Sequence, residues 1–142
     1  MDSDPQVDDR PHENCGIFGV YGVENAARVI YAGLFSLQHR GQEGAGIVAS
    51  DGAKVASIKG MGLLTEVFSE RSPDELIGHL GIGHVRYSTT GDTVLRNVQP
   101  FFAELDGAGF AIGHNGNLTN ALTLREELVR GWALREPVVL AR

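Results

Sequence analysis

Apolar residues along this chain gather in short runs of two distinct periods, separated by glycine and aspartate. Gly16 to Tyr21 reads as a short buried strand. Asn25 is placed to cap a helix, because Ala26, Val29, Ile30, Gly33, Leu34 and Leu37 recur at helical spacing. Gly41 is expected to close that helix in a left-handed conformation. Asp51-Gly52 separates apolar residues 47–49 from 55–58, and Asp106-Gly107 separates 101–103 from 110–112. Asp-Gly between apolar runs predicts a hairpin, with positive φ expected at both turn positions. Ser72-Pro73-Asp74-Glu75 carries a capping-box pattern with proline at the first helical position, and predicts a short helix through Leu76 and Ile77 to Leu80. Gly81 to Tyr87 reads as another strand. Leu118, Ala121, Leu122, Leu128 and Val129 define a last helix, closed by Gly131. This order of elements predicts an α+β protein with largely antiparallel sheets.

Composition narrows the class. The chain has 142 residues, of which 42% are hydrophobic, which suits one globular domain. No apolar run approaches the ~20 residues that span a bilayer. Most of the net charge of -6 lies in residues 1–14, where Asp2, Asp4, Asp8, Asp9 and Glu13 face only Arg10. With Pro5 and Pro11 and almost no apolar content, that segment reads as a disordered leader. It lacks the apolar core of a secretory signal. The remainder has no basic stripe, so neither nucleic acid nor a membrane is an expected partner. A single cysteine agrees with a reducing compartment, and the expected location is cytoplasmic.

That cysteine, Cys15, follows Glu13-Asn14 and opens the run Cys15-Gly16-Ile17-Phe18-Gly19. It has no partner for an internal disulfide, so it either fills space or does chemistry. Cleavage after Asn14 would leave one residue bearing both a thiol and a free α-amine. The amine titrates just below a thiol and can take its proton, so that residue supplies nucleophile and base together. Three polar clusters fall at predicted helix or strand exits: residues 38–43, 84–91 and 114–117. Each alone reads more readily as a polar loop than as a site; jointly they supply what amide hydrolysis requires. Asn115 offers a side-chain amide donor and Gly116 an unobstructed backbone donor for a tetrahedral oxyanion. Arg86 offers a planar fork for a substrate carboxylate, and Thr89 a hydroxyl for the same anion. No metal site is expected. The five histidines lack HExxH spacing, and one cysteine cannot form a Cys-rich zinc site. His79 and His84 read as surface or loop residues. No stretch fits GxGxxG or a Walker A loop. Trp132 reads as a packing residue.

Five segments carry a resemblance: Cys15 to Gly19; Leu37-Gln38-His39-Arg40-Gly41-Gln42-Glu43; Gly81 to Gly91, with its His84-Val85-Arg86-Tyr87-Ser88-Thr89; Gln99-Pro100-Phe101; and His114-Asn115-Gly116-Asn117-Leu118. In order and wording they resemble the N-terminal glutaminase domain of the amidophosphoribosyltransferase family. The resemblance implies an N-terminal-nucleophile hydrolase fold, four layers in αββα order, here incomplete. It implies that Cys15 attacks the glutamine side-chain amide, that Asn115 and Gly116 stabilise the oxyanion, and that Arg86 holds the glutamine carboxylate. Arg40 and Gly41 would order the nucleophile's surroundings, with Thr89 and Tyr87 on the substrate side. It also implies a leader, residues 1–14, removed to expose Cys15; a partial glutaminase domain over 15–130; and a divergent tail over 131–142. In the whole enzyme the ammonia would pass to a transferase domain that uses Mg²⁺ and phosphoribosyl pyrophosphate. Some members carry a 4Fe–4S cluster, and a homo-oligomeric parent is expected. The tail lacks the Thr-Ser-Asp run whose aspartate would grip the substrate amine. The chain is therefore expected to be truncated or frame-shifted and inactive by itself. The alternatives are the glutaminase part of glucosamine-6-phosphate synthase or asparagine synthetase, or a non-catalytic glutamine-binding module.

Overall fold

The computed structural model describes residues 15–87, 94–105, 108–116 and 118–132, with only the backbone of Leu105, Ala108 and Trp132. Strands β1 (Gly16–Tyr21), β2 (Gly44–Ser50), β3 (Val55–Met61) and β4 (Leu80–Arg86) form one sheet in the order β1-β4-β2-β3. Every pairing in it is antiparallel. Strands β5 (Phe101–Leu105) and β6 (Ala108–Ile112) form a second, two-stranded antiparallel sheet. Helix α1 (Ala26–Ser36) lies on the four-stranded sheet. A one-turn helix, α2 (Leu64–Val67), packs at the β2–β3 end, and α3 (Ala121–Trp132) follows the second sheet.

The strand period explains the layering. Odd-numbered residues of β2 (Ala45, Ile47, Ala49) join Ala26, Ile30 and Leu34 of α1 in the core, with Ile58, Leu64, Phe68, Leu76 and Val85. On β4 the positions beneath the helix are glycines. A Cβ at Gly83 would lie 2.5 Å from Ile30 and 2.6 Å from Leu34, so the bare backbone lets α1 settle directly on the sheet. Even-numbered residues face the other way. There Gly44 meets Val98, Gly46 meets the Gln99 carbonyl, and Ile82 meets Gly113 beyond β6. Covered on both faces, all seven residues of β2 are buried. The second sheet is less covered: Phe102, Phe110 and Ile112 remain 45–50% exposed.

Several predicted boundaries shift. Asn25 precedes α1 in a left-handed conformation (φ 55°) and its side chain makes no capping bond, so it turns the chain rather than capping the helix. Gly41 is extended (φ -158°), not left-handed; α1 stops at Ser36 and a 3₁₀ turn over Gln38–Arg40 intervenes. The Ser72 capping box forms, but its helix is one 3₁₀ turn, Pro73–Glu75, because Leu80 is already paired in β4. In the first hairpin only Gly52 has positive φ, at 93°. Asp51 instead accepts from the Ala53 and Lys54 amides at 2.8 and 2.7 Å. Those bonds hold its carboxyl below the usual range. In the second hairpin Leu105 pairs with Ala108, as predicted, while Asp106-Gly107 lies outside the described residues. Gly131 does not close the last helix, which continues to Trp132. Among the described residues no helix is long and apolar enough to cross a membrane.

The α1–sheet contact is the stabilising centre, and Leu34 is fully buried within it. Leu34→Ala is expected to cost about 2–5 kcal/mol in denaturant unfolding, the range for a buried leucine whose cavity cannot collapse. A loss below ~1 kcal/mol would contradict this packing.

Candidate functional site

Pairing of β1 with β4 sets Gly16 opposite Val85, which leaves Cys15 at the strand mouth beside Tyr87. The half-buried Cys15 Sγ lies 3.4 Å from both the Tyr87 carbonyl oxygen and the Tyr87 amide nitrogen. The main-chain carbonyl of Cys15 accepts twice. Asn115 Nδ2 donates to it at 2.8 Å and Arg40 Nε at 3.3 Å. One backbone oxygen thus ties together residues 25 and 100 positions apart from Cys15 in sequence.

Arg40 is held in place by the turn that follows α1. Gln38 bridges that turn to α2, accepting from the Leu64 amide at 2.7 Å and donating to the Gly41 carbonyl at 2.5 Å. Gly41 presses its backbone onto β4: a Cβ there would sit 2.6 Å from the Val85 carbonyl group, so no other residue fits. Glu43 then donates its amide to the Arg86 carbonyl at 3.0 Å, continuing the sheet.

His84 and Arg86 share the face of β4 turned away from α1. Arg86 is buried, 8% exposed, and its Nη1 donates to the Asn97 carbonyl at 2.6 Å. His84 is fully buried, which corrects its expected place at the surface; the alternation along β4 carries it inward. Its Nε2 lies 3.2 Å from the His114 carbonyl oxygen. On the other side of that residue, the His114 amide donates to Gln99 Oε1 at 2.6 Å. Asn115 and Gly116 follow at once, and Gly116 has φ +152°, where a Cβ would also crowd the His114 ring at 3.2 Å. The positive φ is what favours glycine there.

The fold therefore gathers Cys15, Arg40, Gly41, Tyr87 and Asn115, with Arg86 and Gly116 adjoining. Tyr87 contributes its main chain. Thr89 and Asn117 lie outside the described residues, as does the whole leader. Sequence inspection did not assign site roles to Gln99, Asn97 or His84. The available signal was the period of two that puts His84 beside Arg86. Among the described residues no three His, Cys, Asp or Glu side chains converge on a metal site. The cluster pairs a part-buried thiol with amide and guanidinium donors and a glycine backbone, which suits attack on a carbonyl that becomes an oxyanion.

The chain belongs to the class II glutamine amidotransferases, whose family model matches residues 34–133. The curated relatives it resembles are amidophosphoribosyltransferases. That of Rhizobium etli is 48% identical over 132 residues, 92% of this chain and 27% of the relative. That of Methanocaldococcus jannaschii is 53% identical over 116 residues, 80% of this chain and 25% of the relative. The solved glutamine phosphoribosylpyrophosphate amidotransferase of B. subtilis, complexed with ADP and GMP, superposes with a TM-score of 0.73 at 47% identity. It is matched over 81% of this chain and 25% of its own. A second structure, described as the allosteric regulatory enzyme of purine biosynthesis, gives 0.75 at 48%, with the same two shares. The chain thus spans about a quarter of the length of these relatives. With these likenesses the helix–sheet–sheet layering is the expected incomplete N-terminal-nucleophile hydrolase fold.

His84 gives the site an acid sensitivity. Burial first, and then the nearby Arg86 and His114 charges, push its pKa down to about 4, against a rise from the His114 carbonyl bond. Above pH 6.5 the ring is neutral in both the folded and unfolded chain. As pH falls from 6.5 toward 4 the unfolded chain takes up the proton first, so folding loses stability, on the order of 3 kcal/mol in all. Chemical denaturation across that range should show the loss, and His84→Gln should remove most of it. An unchanged slope in the variant would refute this assignment.

Proposed function

We propose that the chain is the glutaminase part of an amidophosphoribosyltransferase, in which Cys15, freed of residues 1–14, hydrolyses the side-chain amide of glutamine. The observation that carries this is the Cys15 carbonyl held jointly by Arg40 and Asn115 at the mouth of β4. The family membership and the named relatives support it.

The steps follow from these groups. The free α-amine of Cys15 takes the thiol proton. The thiolate attacks the glutamine δ-carbon, and the oxyanion accepts from the Gly116 amide and an Asn115 Nδ2 proton. Asn115 has two such protons, so one can serve substrate while the other keeps its bond to Cys15. The ammonium form of the α-amine returns a proton to the departing nitrogen, which leaves as ammonia. The γ-glutamyl thioester is then opened by water, whose proton the same amine accepts, to give glutamate. Arg86 holds the glutamine carboxylate, assisted by Thr89, and Tyr87 lines the same side. Arg40 and Gly41 keep the nucleophile's backbone in register.

In the parent protein the ammonia would convert phosphoribosyl pyrophosphate to 5-phosphoribosylamine for purine biosynthesis. Mg²⁺ and any 4Fe–4S cluster would belong to other sequence, because this chain has one cysteine and no converging acidic ligands among the described residues. By itself the 142-residue chain is inactive or nearly so. Its exposed α3 side chains, Leu122, Leu128 and Val129, and its two-stranded second sheet support that view.

In the parent, Cys15→Ser is expected to reduce ammonia release from glutamine by about 10³-fold or more. Mass spectrometry should find the mature N-terminus at Cys15. A parent that keeps residues 1–14 and still consumes glutamine at full rate would defeat the mechanism. For the isolated 142-residue chain a coupled ammonia assay should read near background. Robust turnover there would overturn the proposed dependence on further sequence.

A further inference from the structure

We infer that His84 and Gln99 are positioning residues for the oxyanion donors: they clamp the His114 peptide groups from two sides and so set where Asn115 and Gly116 point. The inference rests on the glutaminase reading of Asn115 and Gly116 for its functional meaning. Its structural content stands on distances alone.

His114 is the last residue before the donors. Its amide proton goes to Gln99 Oε1 at 2.6 Å, and its carbonyl oxygen lies 3.2 Å from His84 Nε2. The two clamping side chains come from separate parts of the fold. His84 is on β4 of the four-stranded sheet, and Gln99 leads into β5 of the other. The donor loop is thus fastened to both sheets at one residue. Apart from the clamp, the described restraints on this segment are the Asn115–Cys15 bond and the packing of Gly113 near Ile82, and His114, Asn115 and Gly116 are all exposed. A donor displaced by about 1 Å loses much of its hold on a developing oxyanion, since such bonds weaken steeply with distance and angle.

The direction of the His84 bond is set by chemistry. A carbonyl only accepts, so Nε2 carries the proton. Nδ1 is buried with no hydrogen-bond partner among the described residues, and the lowered pKa leaves it a lone-pair nitrogen at neutral pH. That tautomer is the neutral ring. His84 is therefore a fixed donor and takes no part in the proton transfers, which the Cys15 amine carries.

The test is ¹H–¹⁵N NMR of the 142-residue chain, reading the nuclear Overhauser contact between the Asn115 side-chain amide and Cys15, together with the His114 amide shift. The wild-type chain should show both a contact and a displaced His114 signal. His84→Leu and Gln99→Met should lose the contact. His84→Gln and Gln99→Glu, which keep a donor and an acceptor at similar reach, should restore it. Ile58→Ala, a core change in β3 remote from the loop, should lower the melting temperature and leave the contact intact. Gln99 is only half-buried, so Gln99→Met should stay folded even where His84→Leu does not. The inference is overturned where the wild-type chain lacks the contact, where folded Gln99→Met keeps it, or where Ile58→Ala loses it equally. None of these readouts needs glutamine turnover. Failure of the clamp is therefore distinct from failure of the glutaminase reading, which falls with Cys15 alone.

Discussion

The antiparallel register between β1 and β4 is the constraint from which the site follows. Setting Gly16 against Val85 delivers Cys15 to the end of β4, beside the Tyr87 main chain. A slip of one residue would turn Cys15 to the opposite face and break every contact its carbonyl and sulfur make. The register is held from above by α1. The helix can rest on β4 only because Gly81 and Gly83 leave it room, and Ile30 and Leu34 then fill the space. Packing energy invested far from the thiol is thus what fixes the thiol's position.

The site sits where three separately built pieces meet the end of β4. The turn after α1 brings Arg40 and is itself stiffened by Gln38, which bonds both Gly41 and Leu64. The segment after β6 brings Asn115. The Cys15 carbonyl receives both. A guanidinium N–H and a side-chain amide N–H converge on one backbone oxygen, and the main chain of Cys15 becomes the hub of the cluster. Around it, burial decides charge states. His84 stays neutral where water is excluded, whereas the Arg86 guanidinium donates to the main-chain carbonyl of Asn97.

Membership of the class II glutamine amidotransferases accounts for this arrangement as a unit, since the family match covers Arg40, Arg86, Asn115 and Gly116 together. The aligned part of the chain covers only about a quarter of each relative. Among the described residues two features fit a setting with more protein around them: a second sheet of two strands, and exposed apolar side chains on α3. The four-stranded sheet, by contrast, has one well-filled face against α1 and buries β2 completely.

Local pattern determined much by itself. The β1 span, the pairing of both hairpins, the capping box at Ser72 and, on α1, the buried positions Ala26, Ile30 and Leu34 were legible, whereas Val29 of the expected apolar face is exposed and Leu37 lies past the helix end. The types of Cys15, Arg86, Asn115 and Gly116 singled them out in the sequence, and the fold brings Cys15 into contact with Asn115. What local pattern misjudged was where elements stop. Gly41 looked like a helix terminator, yet its lack of a side chain serves a close approach to Val85, a residue 44 positions later in the numbering. Gly131 looked like another, yet α3 runs past it. His84 looked like a loop residue and is fully buried. Which strands pair, which carbonyl Asn115 bonds and which side chains clamp His114 were decided only by tertiary structure. Those choices depend on contacts between residues distant in sequence, and no local propensity encodes the geometry that brings them together.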